Sequence, residues 1–243
     1  MKYLVLLMSL LFSTVSIAQD YKPMLPVDSI DSSMRTVEKR VRGAAVKVTF
    51  PFEGGHGSGS YLKYKDIHIV ITAQHVARGK IGENYMVSHG GESHISMLIY
   101  SDPVDDIAVL FVKTPFRSIA PMPFKPQEKT ADAGTDIVYS GFPSDHKLMS
   151  FRGQVSGHES GPGIGKHIIL QTYGGFGCSG SVIYDTKGYI VGVLYGVDIE
   201  YYPGIQVQEN LIWVAPINKL PIRKALKKMC DGWHGEKRPK ACN

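Results

Sequence analysis

The feature that most constrains this chain is its punctuation. From Ala44 to Ala215, short runs rich in Val, Ile, Tyr and Thr recur about every eight to twelve residues, separated by Gly, Pro, Asn and Asp. β-Branched and aromatic side chains favour an extended, pleated backbone, and the turn residues between them set where each strand stops. A-A-V-K-V-T-F, S-G-S-Y-L-K-Y and I-H-I-V-I-T-A read as the first three strands. Others are expected at 85–88, 95–100, 107–112, 136–139, 149–158, 167–172, 181–184, 189–197 and 211–215. About twelve short strands without helical periodicity between them argue against helical bundles and βαβ folds. They predict an all-β chain of barrels or sandwiches. The stretch 116–130, with Pro121, Pro123 and Pro126, reads as a connection between two six-stranded halves.

The two ends depart from this texture. Residues 1–18 place Lys2 before an apolar run from Leu4 to Phe12, then small residues at Ser16 and Ala18. That is the pattern of a secretory signal, and the run is shorter than the roughly 20 residues a spanning helix needs. Secretion or a periplasmic location follows, in an oxidising compartment. Residues 19–43 read as a leader or N-terminal arm without strong structure. The main body is expected at 44–217, with its internal boundary near 116–130. In the segment 218–243, Ile222, Ala225, Leu226 and Met229 form one apolar helical stripe. Eight basic residues against two acidic ones from Lys219 onward make this end basic, within a chain of net charge +5. Such a tail could contact an anionic surface, and a solvated helix face explains it equally; no nucleic-acid partner is expected.

Three segments offer the members of an acyl-transfer constellation, in the order His, Asp, Ser. In I-V-I-T-A-Q-H an apolar strand runs into His75; in D-P-V-D-D-I-A-V-L, Asp106 directly precedes a strand. In Y-G-G-F-G-C-S-G-S, Ser179 lies two residues after Gly177 and directly before Gly180. Glycines at these positions let the backbone fold tightly, so the N–H groups of Gly177 and Ser179 can converge beside the hydroxyl as an oxyanion hole.

Together these segments resemble the trypsin-like serine proteases of the chymotrypsin fold, most closely the high-temperature-requirement (Htr/Deg) type. The likeness rests on G-S-G-S at 57–60, T-A-Q-H at 72–75, D-I-A-V-L at 106–110, G-C-S-G-S at 177–181 and I-V-G-V at 190–193. It implies two six-stranded antiparallel barrels with a C-terminal helix, peptide or protein substrates, and no cofactor or metal. Ser179 is then the nucleophile, His75 the base that activates it, and Asp106 the group that orients the imidazole, with Asp105 as its rival. Substrate-binding walls are implied at Tyr173, Phe176, Val193 and Tyr195. Tyr173 stands where trypsins carry the Asp that selects Lys or Arg, so an apolar or small substrate side chain is expected instead. The alternative is a catalytically silent protein of the same fold that binds peptides or a host surface.

The departures from the family also inform. Digestive members carry an Asp directly before the nucleophile, to pair with a new N-terminus; here that place holds Cys178, and no I-V-G-G stands near Ala44. The residues beyond Pro216 are too few for the PDZ domain that Htr-type enzymes usually add. Cys178 as nucleophile would need glycines where Phe176 and Ser179 stand. Ser181 in place of the last glycine breaks the G-x-S-x-G of an α/β-hydrolase. Of the three cysteines, Cys230 and Cys242 are expected to pair across a polar loop that readily folds back, leaving Cys178 free in the nucleophile turn. The other histidines have no zinc-like spacing, His158 and His167 being expected at the surface. G-P-G-I-G at 161–165 reads as a hairpin loop.

Overall fold

The computed structural model describes residues 33–49, 54–161, 164–201, 204–235 and 238–242. The expected signal and most of the expected leader lie outside these residues. Helix α1 (Thr36–Ala44) leads directly into β1 (Ala45–Thr49), followed by β2 (Gly57–Tyr64), β3 (Ile67–Thr72), β4 (Asn84–His89), β5 (Glu92–Asp102) and β6 (Ile107–Val112). These six strands run around a ring in the order β1-β4-β5-β6-β3-β2, and antiparallel pairing of β1 with β2 closes it. After β7 (Met122–Pro123) come β8 (Asp136–Gly141), β9 (Met149–Gly161), β10 (Ile164–Gln171), β11 (Val182–Asp185), β12 (Ile190–Glu200) and β13 (Gln206–Pro216). The last six close a second antiparallel barrel in the order β10-β13-β12-β11-β8-β9. Helix α2 (Ile222–Asp231) follows.

Alternation along the strands explains why the apolar runs are continuous. On β3, Val70 faces the first barrel's interior with Tyr61, Tyr85 and Leu110, while Ile69 and Ile71 face the opposite side. That opposite side is a shared core, where β3 and β6 meet Tyr184, Val193 and Ala215 of the second barrel and Leu226 and Met229 of α2. A strand buried on both faces needs apolar residues at every position, as I-V-I and I-A-V-L supply. The second barrel has its own interior around Ile137, Tyr139, Leu170, Ile183 and Val214.

The structure corrects three expectations. The arm expected to lack strong structure contains α1, whose Val41 and Ala44 are buried in the shared core with Val37 packed against it. Spacings of four and three residues place these on one helical face, and the intervening charges Glu38, Lys39, Arg40 and Arg42 hid the stripe. The compact unit accordingly runs from Met34, not Ala44. The connection 116–130 does lie between the two barrels, and it adds β7, which pairs with β2 in parallel at its edge (Leu62 with Met122); Pro123, lacking an N–H, is tolerated at such an edge. β12 and β13 extend beyond 197 and before 211 as a polar ribbon. His167 is buried at 2% exposure, its Nδ1 bonded to the Tyr195 hydroxyl at 2.6 Å.

At the C-terminal end the structure brings Cys230 and Cys242 together, with Cα atoms 5.4 Å apart, and leaves Cys178 free and buried. The segment folds back onto the β2–β3 turn, where Asp66 accepts the N–H groups of Lys240 and Ala241.

Candidate active site

His75 follows the end of β3, and Asp106 occupies the turn that leads into β6. β3 and β6 are paired neighbours, Thr72 opposite Ala108, so the two residues meet at the same end of the sheet. Asp106 holds His75 at two points. One carboxylate oxygen accepts the His75 backbone N–H at 2.8 Å, and the other accepts from Nδ1 at 2.7 Å. The Gln74 N–H donates to the Asp106 carbonyl at 3.2 Å. Asp106 adopts a left-handed backbone, φ 50°, which aspartate tolerates better than most residues. Asp105 is committed elsewhere: Lys219 Nζ lies 2.5 Å from its Oδ1. Of the two rivals, only Asp106 touches the imidazole.

Ser179 lies in the turn between β10 and β11, half-buried, and lines with His75 a cleft of about 260 Å³ that also includes His56, Val76, Arg78 and Gly177. Two glycines make this turn possible. Gly177 has φ +84°, and a Cβ there would stand 2.3 Å from the Phe142 carbonyl oxygen; Gly180 has φ +88°, and its Cβ would meet the Ser58 carbonyl oxygen at 2.1 Å. A side chain fits neither place. The Cys178 N–H closes the turn onto the Gly175 carbonyl at 3.0 Å, and the Ser58 hydroxyl donates to the Gly177 carbonyl at 2.7 Å. Ser58 also accepts the Phe142 N–H at 2.9 Å, while His56 Nε2 donates to the Phe142 carbonyl at 2.9 Å. Among the described residues, the N–H groups of Gly177 and Ser179 have no protein acceptor. Donors left open beside a hydroxyl suit an oxyanion.

Nothing in the G-S-G-S segment itself marks Ser58 as the brace of the nucleophile turn. Nor does the sequence mark Ser144, whose N–H holds the Phe176 carbonyl at 2.6 Å. The expected substrate walls separate: Phe176 is 90% exposed, and Tyr173 is on the surface with its ring stacked on Phe151. Tyr195 is half-buried, whereas Val193 is wholly buried between β11 and β13 and presents no side chain to the cleft. Cys178 is fully buried beside the Tyr139 hydroxyl, and burial pushes its thiol up. It stays protonated at neutral pH, the wrong state for a thiol nucleophile. No cluster of ligand side chains suited to a metal ion occurs among the described residues.

Residues 57–193, more than half of the chain, match the trypsin-like peptidase domain. The chain belongs to the trypsin-like peptidase family. No curated protein sequence matches it. Solved structures resemble this peptidase over 74% of its length. The active form of the Rv3671c protease from M. tuberculosis is 21% identical, with a TM-score of 0.59 and 79% of its own chain covered. The serine endoprotease from Yersinia pestis is 20% identical, with a TM-score of 0.57 and 61% covered. The HtrA-type protease AlgW, solved with a tripeptide, is 19% identical, with a TM-score of 0.60 and 58% covered. At these identities the likeness speaks for the fold, two six-stranded barrels of the chymotrypsin type.

Proposed function

We propose that this peptidase is exported and hydrolyses peptide bonds through a covalent acyl-enzyme, with Ser179 as nucleophile, His75 as general base and acid, and Asp106 as their orienting partner. The observation that carries the reading is the two-point grip of Asp106 on His75 within the cleft that also holds Ser179. With Nδ1–H donated to Asp106, the free Nε2 of His75 is the nitrogen able to take a proton. As Ser179 Oγ attacks the scissile carbonyl, its proton passes to Nε2, and Asp106 stabilises the imidazolium. The carbonyl oxygen, now negative, accepts from the N–H groups of Gly177 and Ser179. Collapse of this intermediate expels the amine, which leaves with the proton from His75. Water, deprotonated by the same imidazole, then releases the acid and restores Ser179.

Within this reading, residues 1–18 are a removed signal, and Cys230 and Cys242 form a disulfide that persists outside a reducing cytosol. In the basic C-terminal segment the Lys240 and Ala241 N–H groups bond Asp66, and Lys227 pairs with Asp231. An anionic partner surface has no part in the reading. The test is a fluorophosphonate probe with a fluorogenic peptide assay. Labelling is expected at Ser179, and Ser179→Ala should lower turnover by several orders of magnitude, leaving only the roughly 10³–10⁴-fold over water that binding and the oxyanion hole supply. A folded protein that the probe does not label, and whose Ser179→Ala variant behaves like the parent, would be a silent binding protein of this fold.

A further inference from the structure

The turn that carries Ser179 is braced from behind by a path that starts in α1. Glu38, 5% exposed, takes Arg152 Nε and Nη2 on its two oxygens, each at 2.7 Å. It also accepts the Arg35 N–H at 2.8 Å, closing the start of the helix. One turn later, Arg42 Nη1 donates to the Leu148 carbonyl and to the Ser150 hydroxyl, both at 3.1 Å. Helix α1 thus grips residues 148–152, the beginning of β9.

That same stretch supports the nucleophile turn. The Arg152 carbonyl accepts the Thr172 hydroxyl at 2.9 Å, and the Phe151 ring stacks on Tyr173 with centroids 5.2 Å apart. The loop 142–148, anchored at its far end by Arg42, presents the Ser144 N–H to the Phe176 carbonyl at 2.6 Å. A peptide unit is planar and trans, so a carbonyl fixed on Ser144 turns the Gly177 N–H to the opposite side, toward the cleft. Gly177, without a Cβ, opposes rotation of that unit very little. If the carbonyl is released, the unit can swing an oxygen to where a donor is needed. The turn has no charge of its own to prevent this, since its interior holds the thiol of Cys178.

We propose that Glu38 and Arg152 are positioning residues: the ion pair between α1 and β9 fixes the Phe176–Gly177 peptide and thereby the oxyanion donors. The chain from Arg35 onward is then part of the working peptidase, and any processing of the leader ends before it. This inference rests on the reading of the Ser179 turn as an oxyanion site.

The test uses the whole mature chain, with thermal melts to confirm folding. Arg152→Met strips the buried carboxylate of its two guanidinium bonds, leaving the Arg35 N–H and the Arg35 Nε at 4.0 Å, and is the harsher variant; Glu38→Gln keeps the shape and removes the charge. In Glu38→Gln, kcat should fall about tenfold or more, part of the 10²–10³ that a whole oxyanion donor is worth, while KM stays within about twofold. The exchanged pair Glu38→Arg with Arg152→Glu should recover a measurable part of kcat. Amide exchange should quicken at 142–148 and 173–179 in Glu38→Gln and stay unchanged in β2 and β3. A folded Glu38→Gln with parental kcat and parental exchange overturns the proposal, as does a change confined to KM. If Ser179→Ala equals the parent in turnover, the assignment of Ser179 fails by itself. Exchange at 173–179 then still decides whether the ion pair sets the turn.

Discussion

At the scale of single residues, what the sequence disclosed was chemistry carried by residue type in a fixed local frame. Gly177 and Gly180 could be read as turn glycines because only a missing Cβ permits the φ +84° and φ +88° found there. The D-I-A-V-L motif, beginning at Asp106, set that residue ahead of Asp105. What the motif could not show is the partner of Asp105, Lys219, over a hundred residues away, while Asp106 meets His75. Nor could the burial of His167 be foreseen, since a lone histidine in a half-polar strand gives no sign of the Tyr195 hydroxyl that meets it. Cys178 yields a prediction. Its side chain is enclosed, beside the Tyr139 hydroxyl that donates to the Tyr173 carbonyl. Cys178→Ser should destabilise by about 1–2 kcal/mol. Cys178→Asp should cost about 3–5 kcal/mol by burying a carboxylate with no counter-charge. Urea midpoints measure both, and an aspartate variant as stable as the serine one would show that the turn does not require a neutral residue.

At the scale of elements, legibility followed amphipathicity. The strands that bury both faces were plain in the sequence, and so was α2, whose Ala225, Leu226 and Met229 are buried as its stripe required. Helix α1 was obscured because its inward face includes Glu38, a buried charge met by Arg152 from β9 and by Arg35 at the helix start. The tip of the β12–β13 ribbon was obscured because Asp198, Glu200, Gln206 and Gln208 interrupt the apolar signal; the backbone ladder, invisible to hydropathy, holds it. The disulfide proposed between Cys230 and Cys242 would tie the end of α2 to the segment after it, across a sequence separation of 12. Closing so short a loop should stabilise the local structure by up to about 3 kcal/mol in the chain-entropy picture. Alkylation of denatured, unreduced protein should modify Cys178 alone, and prior reduction should expose all three cysteines. A single label on Cys230 or Cys242 would instead place Cys178 in a bond.

At the scale of the whole molecule, the two barrels were legible because strand length, turn spacing and the order of the motifs agree. What holds distant segments together was not, because it depends on charges far apart in sequence. Glu38 joins α1 to β9, and hydrogen bonding from the Arg152 side chain holds its carboxyl below the usual range. Glu92, on β5, caps the 117–118 segment: hydrogen bonding from Ser118, then from the Arg117 N–H and His94, holds it down to about 2. His68 and His167 are pushed below an ordinary imidazole, in both cases chiefly by burial. All four shifts act in one direction. An imidazole lowered in the folded state takes up its proton first in the unfolded chain, so folding loses stability as pH drops below about 6.5. A carboxylate lowered in the folded state contributes stability above its unfolded value near about 4.3 and loses it as pH falls toward the folded value. The urea midpoint should therefore decline gently from about pH 6.5 and more steeply from about pH 4.3 toward 2, with no compensating rise. His167→Gln should flatten the first part of the decline, and Glu92→Gln the second. A midpoint that rises on acidification, or steepness unchanged by either substitution, would mean that these four groups do not set the acid limit of the fold.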